Sequence, residues 1–144
     1  MNAKSFTKLE KYNFKENVWC SFTTHNNENI LIGNIYHSPH SEDSNTENVL
    51  NLLKCTDYNH FNKVYITGDF KYPNLNWNGK CDHSKNEMFK ETINDGFLIQ
   101  HVNKPTRSRG GQRSNIFDLV FSKKRLTSLI LSTVAPWEKV TIIY

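Results

Sequence analysis

The groups that could do chemistry are two carboxylates and a run of cations. Asp69 follows the apolar run Lys63–Thr67 (KVYIT) and Gly68, which puts an acid where a strand gives way to a turn, a shape that active sites use. The same position also suits an Asp that merely forms the turn. Asp118 interrupts the apolar stretch Asn115–Ser122 (NIFDLVFS). Burying an unpaired carboxylate is costly, so an acid in such a strand belongs either to a polar site or to an edge facing water. The cations are Lys104, Arg107, Arg109 and Arg113 in KPTRSRGGQR, followed by Lys123, Lys124 and Arg125. Closely spaced cations attract a polyanion backbone, and they are equally the ordinary make-up of a solvated loop.

Other reactive residues form no recognised constellation. The six histidines, His25, His37, His40, His60, His83 and His101, show neither His-x3-His nor His-Glu-x-x-His spacing, so no zinc site is expected. His37 and His40, next to Tyr36, could rim a cleft. Of the three tryptophans, Trp77, in the loop after Asp69, is best placed to touch a ligand, while Trp19 and Trp137 read as packing or cleft residues. Cys20, Cys55 and Cys81 are odd in number and far apart, which argues against a disulfide framework or a Cys-x-x-Cys pair and points to an intracellular, nuclear or cytoplasmic setting. None of the asparagines stands in an Asn-x-Ser/Thr sequon, which agrees with that setting.

Charge is divided unevenly along the 144 residues. The net +4 combines 10 Lys/Arg against 12 Asp/Glu in residues 1–100, a balance of −2, with 8 against 2 in residues 101–144, a balance of +6. With 37% apolar and 12% aromatic residues the chain can bury one core, and extended disorder, collagen and coiled coil are excluded. No apolar run reaches the 18 residues or so that a transmembrane helix needs, and the opening MNAKSFTKLEKYNFKEN lacks the apolar core of a signal peptide. No membrane partner is expected.

The elements that must hold these groups follow from periodicity. Val18–Thr24 and Asn29–Tyr36 read as two strands of a hairpin around HNNE, and Thr46–Lys54 as a helix capped by Ser44 or Thr46. Lys63–Thr67 is a strand, and Ser84–Asp95 a helix with Met88, Phe89 and Ile93 on one face, Ser84 as cap and Gly96 past its end. Phe97–Val102, Asn115–Ser122, Ser128–Val134 and Val140–Tyr144 read as further strands. Strands alternating with two helices and then predominating predict an α/β protein with a mixed sheet.

Taken in order, IGNIYHSP, KVYITGDFKYPNLNW, INDGFLIQHVNKPTR and SNIFDLVFS resemble the endonuclease/exonuclease/phosphatase superfamily, and more narrowly the endonuclease domain of non-LTR retrotransposons. The resemblance covers residues 17–144, with 1–16 as a leading segment. It implies a four-layer α/β sandwich of two mixed sheets with outer helices, and magnesium-dependent hydrolysis of phosphodiesters in DNA. By the same resemblance, Asp69 is the carboxylate that orients or deprotonates water and a weak metal ligand, Tyr36 lies in the cleft near the scissile phosphate, and Asp118 orients a catalytic His. Arg107, Arg109 and Arg113 would contact the nucleic-acid backbone.

The pattern is broken in three places. Lys71 stands where the family's Gly-Asp-Phe-Asn motif has Asn, replacing an amide by a cation that can meet phosphate only as a point charge. The tail APWEKVTIIY lacks the family's Ser-Asp-His, with Glu138 as its nearest carboxylate. The family's upstream Asn and metal-binding Glu have no counterpart, and Glu10 and Glu16 read as exposed acids. Two functions therefore stand side by side: an endonuclease-like phosphodiesterase with impaired catalysis, or an inactive module of retrotransposon origin that binds nucleic acid.

Overall fold

The computed structural model describes residues 3–38, 40–72, 75–81, 83–106, 116 and 118–123. Six strands form one mixed sheet: β1 (Lys4–Ser5), β2 (Asn17–Thr23), β3 (Asn29–Tyr36), β4 (Lys63–Asp69), β5 (Leu98–Gln100) and β6 (Asp118–Lys123), ordered β1-β2-β3-β4-β6-β5. Only β3 and β4 run parallel, and the helix α1 (Asp43–Leu53) lies in the crossover between them. A second helix, α2 (Ser84–Asp95), connects β4 to β5. The expected α/β character and mixed sheet are present. A single sheet appears among the described residues, so the second sheet of a four-layer sandwich is not seen there. The strands expected at Ser128–Val134 and Val140–Tyr144 lie outside the described residues.

Period-2 alternation decides which way each strand faces. Leu31 and Ile35 of β3, Val64 and Ile66 of β4, and Leu119 and Phe121 of β6 point to one face, where Val49, Leu50, Leu52 and Leu53 of α1 and Phe89 and Ile93 of α2 join them in one core. The opposite face leaves Val18, Ile32, Tyr65 and Ile99 exposed. Residues ahead of Asn17 add to the core as well: β1 pairs with β2, and Leu9 and Phe14 are buried.

The structure departs from the sequence-based expectations at several residues. Helix α1 starts three residues early, at Asp43, and neither Ser44 nor Thr46 caps it; Glu42 takes that position without a side-chain hydrogen bond. His83, not Ser84, occupies the N-cap of α2. Met88 is half exposed, because it lies one residue, about 100° of helical rotation, off the buried 86–89–93 stripe. Asp118 does not interrupt a strand; it begins one, and Asp69 is likewise the last residue of β4 and no turn former.

Candidate functional site

Three strands end on one row. Across the parallel β3–β4 pair Tyr36 faces Asp69, and across the antiparallel β4–β6 pair Asp69 faces Asp118. Register partners share a face, so all three side chains project from the open side of the sheet, away from the helices. Asn34, Thr67 and Val120 form the next row, where the Asn34 amide donates to Thr67 Oγ1 at 3.0 Å. Tyr36 is about half exposed, whereas Asp69 and Asp118 are partly covered.

Close approach of β3 and β4 under this row requires Gly68. Its φ is 156°, and a Cβ built there would lie 1.9 Å from the Ile35 carbonyl oxygen.

Beyond Asp69 the chain alternates in, out and in. Phe70 and Tyr72 are buried, and between them Lys71 adopts a left-handed φ of 48°, which costs a non-glycine residue about 1 kcal/mol. Phe70 meets Phe121 edge-on at 5.4 Å and Tyr72 stacks on Phe89 at 4.1 Å, so aromatic packing holds the turn. Lys71 Nζ is thereby brought 2.6 Å from Asp69 Oδ2, with only 16% and 14% of the two side chains exposed.

His37 locks the turn from below. Its backbone N–H donates to the Asp69 carbonyl at 2.9 Å, Nδ1 lies 3.2 Å from the Phe70 carbonyl, and Nε2 lies 3.2 Å from Thr46 Oγ1. A neutral ring satisfies both contacts, with Nδ1–H donating to the carbonyl and Nε2 accepting from the hydroxyl. The ring stacks on Tyr72 at 5.3 Å and 4°. Burial pushes the imidazole below its ordinary range, outweighing the Phe70 carbonyl and Glu16, which act the other way.

These contacts correct the reading of His37 as a cleft-rim residue: it is buried in the core, while His40 is exposed. Leu31, Gly33 and Ile35 already alternate inward, and continuing that period by one step points His37 inward too; this was the missed signal. Trp77 is corrected as well, since it packs against Phe89 and Phe121 and does not line the row. Trp19 lies buried across Gly33, its register partner. Glu10 and Glu16 are exposed, as expected.

Arg107, Arg109 and Arg113 lie outside the described residues, as do Lys124, Arg125, Trp137 and Glu138. The residues that flank the basic segment are described. Thr106 Oγ1 accepts from the Asp118 backbone N–H at 3.1 Å, so the chain leaves for this segment from beside Asp118 and returns to it.

A divalent ion binds best to several oxygen ligands, commonly one or two carboxylates completed by water and substrate phosphates. Among the described residues no three His, Cys, Asp or Glu side chains gather as such a set. Asp69 and Asp118 are the two carboxylates of the row, and the Lys71 ammonium already holds Asp69. This donor set does not fit the ion as it stands. No helix among the described residues is long and apolar enough to cross a membrane.

Comparison with known proteins agrees with the fold. A solved structure, the endonuclease domain of TRAS1, a telomere-specific non-LTR retrotransposon, superposes with a TM-score of 0.63 at 18% identity over 85% of this chain. The chain spans 56% of that domain. No curated protein matches. The family model described as endonuclease-reverse transcriptase matches residues 30–140, which include Tyr36, Asp69 and Asp118, and the chain belongs to that family.

Proposed function

We propose that residues 17–144 form a DNA-directed, endonuclease-type phosphodiesterase domain in which hydrolysis is impaired. The observation that carries this reading is the row Tyr36–Asp69–Asp118, three residues from separate sequence segments brought into register at one end of a family member's sheet. In this reading the Asp69 carboxylate orients or deprotonates the attacking water, and the exposed Tyr36 hydroxyl donates to a phosphate oxygen. Asp118, beside Asp69, would orient a general acid or base. Arg107 directly follows Thr106 in the sequence. With Arg109 and Arg113 it would neutralise the DNA backbone.

Family members are usually metal-dependent, and magnesium is the ion this reading implies. Asp69 is the ligand it implies, and one carboxylate is a weak hold for such an ion. Lys71 stands in its way, and this is the basis for impairment. The open sheet face bearing Val18, Ile32, Tyr65 and Ile99 would be the inner face of a two-sheet sandwich, walling the row on that side. An intracellular setting accords with three free cysteines.

The second reading is a binding module without turnover, favoured by the ammonium on Asp69 and the +6 balance of residues 101–144. Nicking of supercoiled plasmid separates the two. Slow nicking that Asp69→Ala abolishes supports the phosphodiesterase; salt-sensitive DNA binding by a folded protein that never nicks supports the module. A folded protein that does neither overturns both.

A further inference from the structure

We propose that the Lys71 ammonium takes the electrostatic place of a divalent cation at Asp69, so that the site meets phosphate oxygens through a tethered organic cation and excludes the metal ion. The proposal rests on the reading of Asp69 as the central carboxylate of the site, but not on turnover.

The position of the ammonium is built into the turn. Phe70 and Tyr72 are anchored in the aromatic core, His37 bonds the Phe70 carbonyl and stacks on Tyr72, and Lys71 between them is held in the left-handed region. A lysine on a solvated loop would sample many rotamers; this one is largely covered and reaches Asp69 Oδ2 at 2.6 Å. A metal ion approaching the same carboxylate would have to displace that ammonium or share the oxygens with it. Two cations on one partly dehydrated carboxylate repel strongly, because screening is weaker there than in water.

The local charge supports the substitution. Asp69 and Asp118 face one another, an arrangement that is unfavourable unless a cation is supplied. In a metal-dependent site the ion supplies positive charge at the central carboxylate; here Lys71 supplies it to Asp69 from within the chain. An ammonium is a compact point charge that phosphate oxygens accept from directly, without the ion's demand for octahedral geometry.

Mn²⁺ serves as the probe, with binding read from its electron paramagnetic resonance signal on the full chain. Lys71→Asn and Lys71→Met remove the ammonium in two ways, and circular dichroism identifies which variants are folded. The expected result is Mn²⁺ affinity at least ten-fold higher in a folded Lys71 variant than in wild type, with the gain lost on adding Asp69→Asn. Equal affinity in wild type and variant, whether tight or weak, overturns the proposal, as does a gain that survives Asp69→Asn. A parallel readout is the affinity for a short single-stranded oligonucleotide. It should be indifferent to EDTA in wild type and become EDTA-sensitive in Lys71→Asn; EDTA-sensitive binding by wild type overturns the proposal. If no oligonucleotide binds, the nucleic-acid reading fails while the Mn²⁺ result still decides the role of Lys71.

Discussion

Asp69 and Asp118 stand opposite each other across the β4–β6 pair, and the Lys71 ammonium lies 2.6 Å from an oxygen of the first. Like charges placed directly across a sheet destabilise it by up to about 1 kcal/mol, and the ammonium pairs one of these two carboxylates. The interaction is intermediate between an exposed ion pair and a fully buried one.

A double-mutant cycle tests that balance. Lys71→Ala is expected to lower stability by about 1–3 kcal/mol, and Asp118→Asn to leave it unchanged or raise it by about 0.5 kcal/mol. With Asp118→Asn already present, Lys71→Ala should cost less, because only one carboxylate remains exposed to its loss. Urea unfolding of the four proteins measures the coupling; strict additivity would mean that Lys71 does not sense Asp118.

The buried His37 makes stability fall in acid. Its folded-state pKa lies below the ordinary 6.5, so between that value and the lower folded one the unfolded chain binds a proton that the folded chain refuses. Stability contributed by the neutral ring is therefore complete above pH 6.5 and declines as the pH falls towards the folded value. His37→Gln should flatten this part of the profile while lowering stability overall. Urea midpoints taken every half unit from pH 7.5 to pH 5 give the comparison.

Gly68 leaves no space for a side chain. Gly68→Ala places a methyl group against the Ile35 carbonyl and should cost at least about 2–3 kcal/mol, shifting β4 away from β3. Because the row depends on that register, the Tyr36 and Asp69 amide resonances should move furthest in a two-dimensional NMR spectrum.

Arg107 and Arg109 should contribute to the salt dependence of DNA binding. Each phosphate contact contributes a slope of about −0.9 in log K against log salt, so Arg107→Ala with Arg109→Ala should reduce the magnitude of the slope by about 2. Asp69→Ala should leave the slope nearly unchanged. Fluorescence anisotropy across a salt series reads both.

Much of this architecture was legible from local pattern. Strand β3 falls at Asn29–Tyr36 and α2 at Ser84–Asp95, as periodicity and stop signals indicate, because alternation and helical spacing are properties of neighbouring residues. The start of α1 was missed because Asp43 and Ser44 carry no apolar signal; the stripe begins only at Val49. Asp69, Asp118 and Tyr36 were each visible as residues of the right type in the right local setting. Their alignment in one row was not, since register between strands 33 and 49 residues apart is decided by which faces bury together.

The chain by itself determined the kinds of groups available: one Asp after a strand glycine, a lysine in place of an amide, cations gathered in the last third, and the family to which the order of segments belongs. Tertiary structure alone decided what those groups meet. Lys71 reads in sequence as a poor phosphate ligand. It becomes the partner of Asp69 only because Phe70 and Tyr72 are drawn into the core on either side of it, turning the backbone left-handed and directing the ammonium back to the carboxylate. His37 reads as a loop residue, yet burial beside Phe70, Tyr72 and Thr46 makes it the neutral clamp beneath the site. Residue type is a local property, whereas charge balance and protonation depend on distance and desolvation, and those exist only once the core has formed.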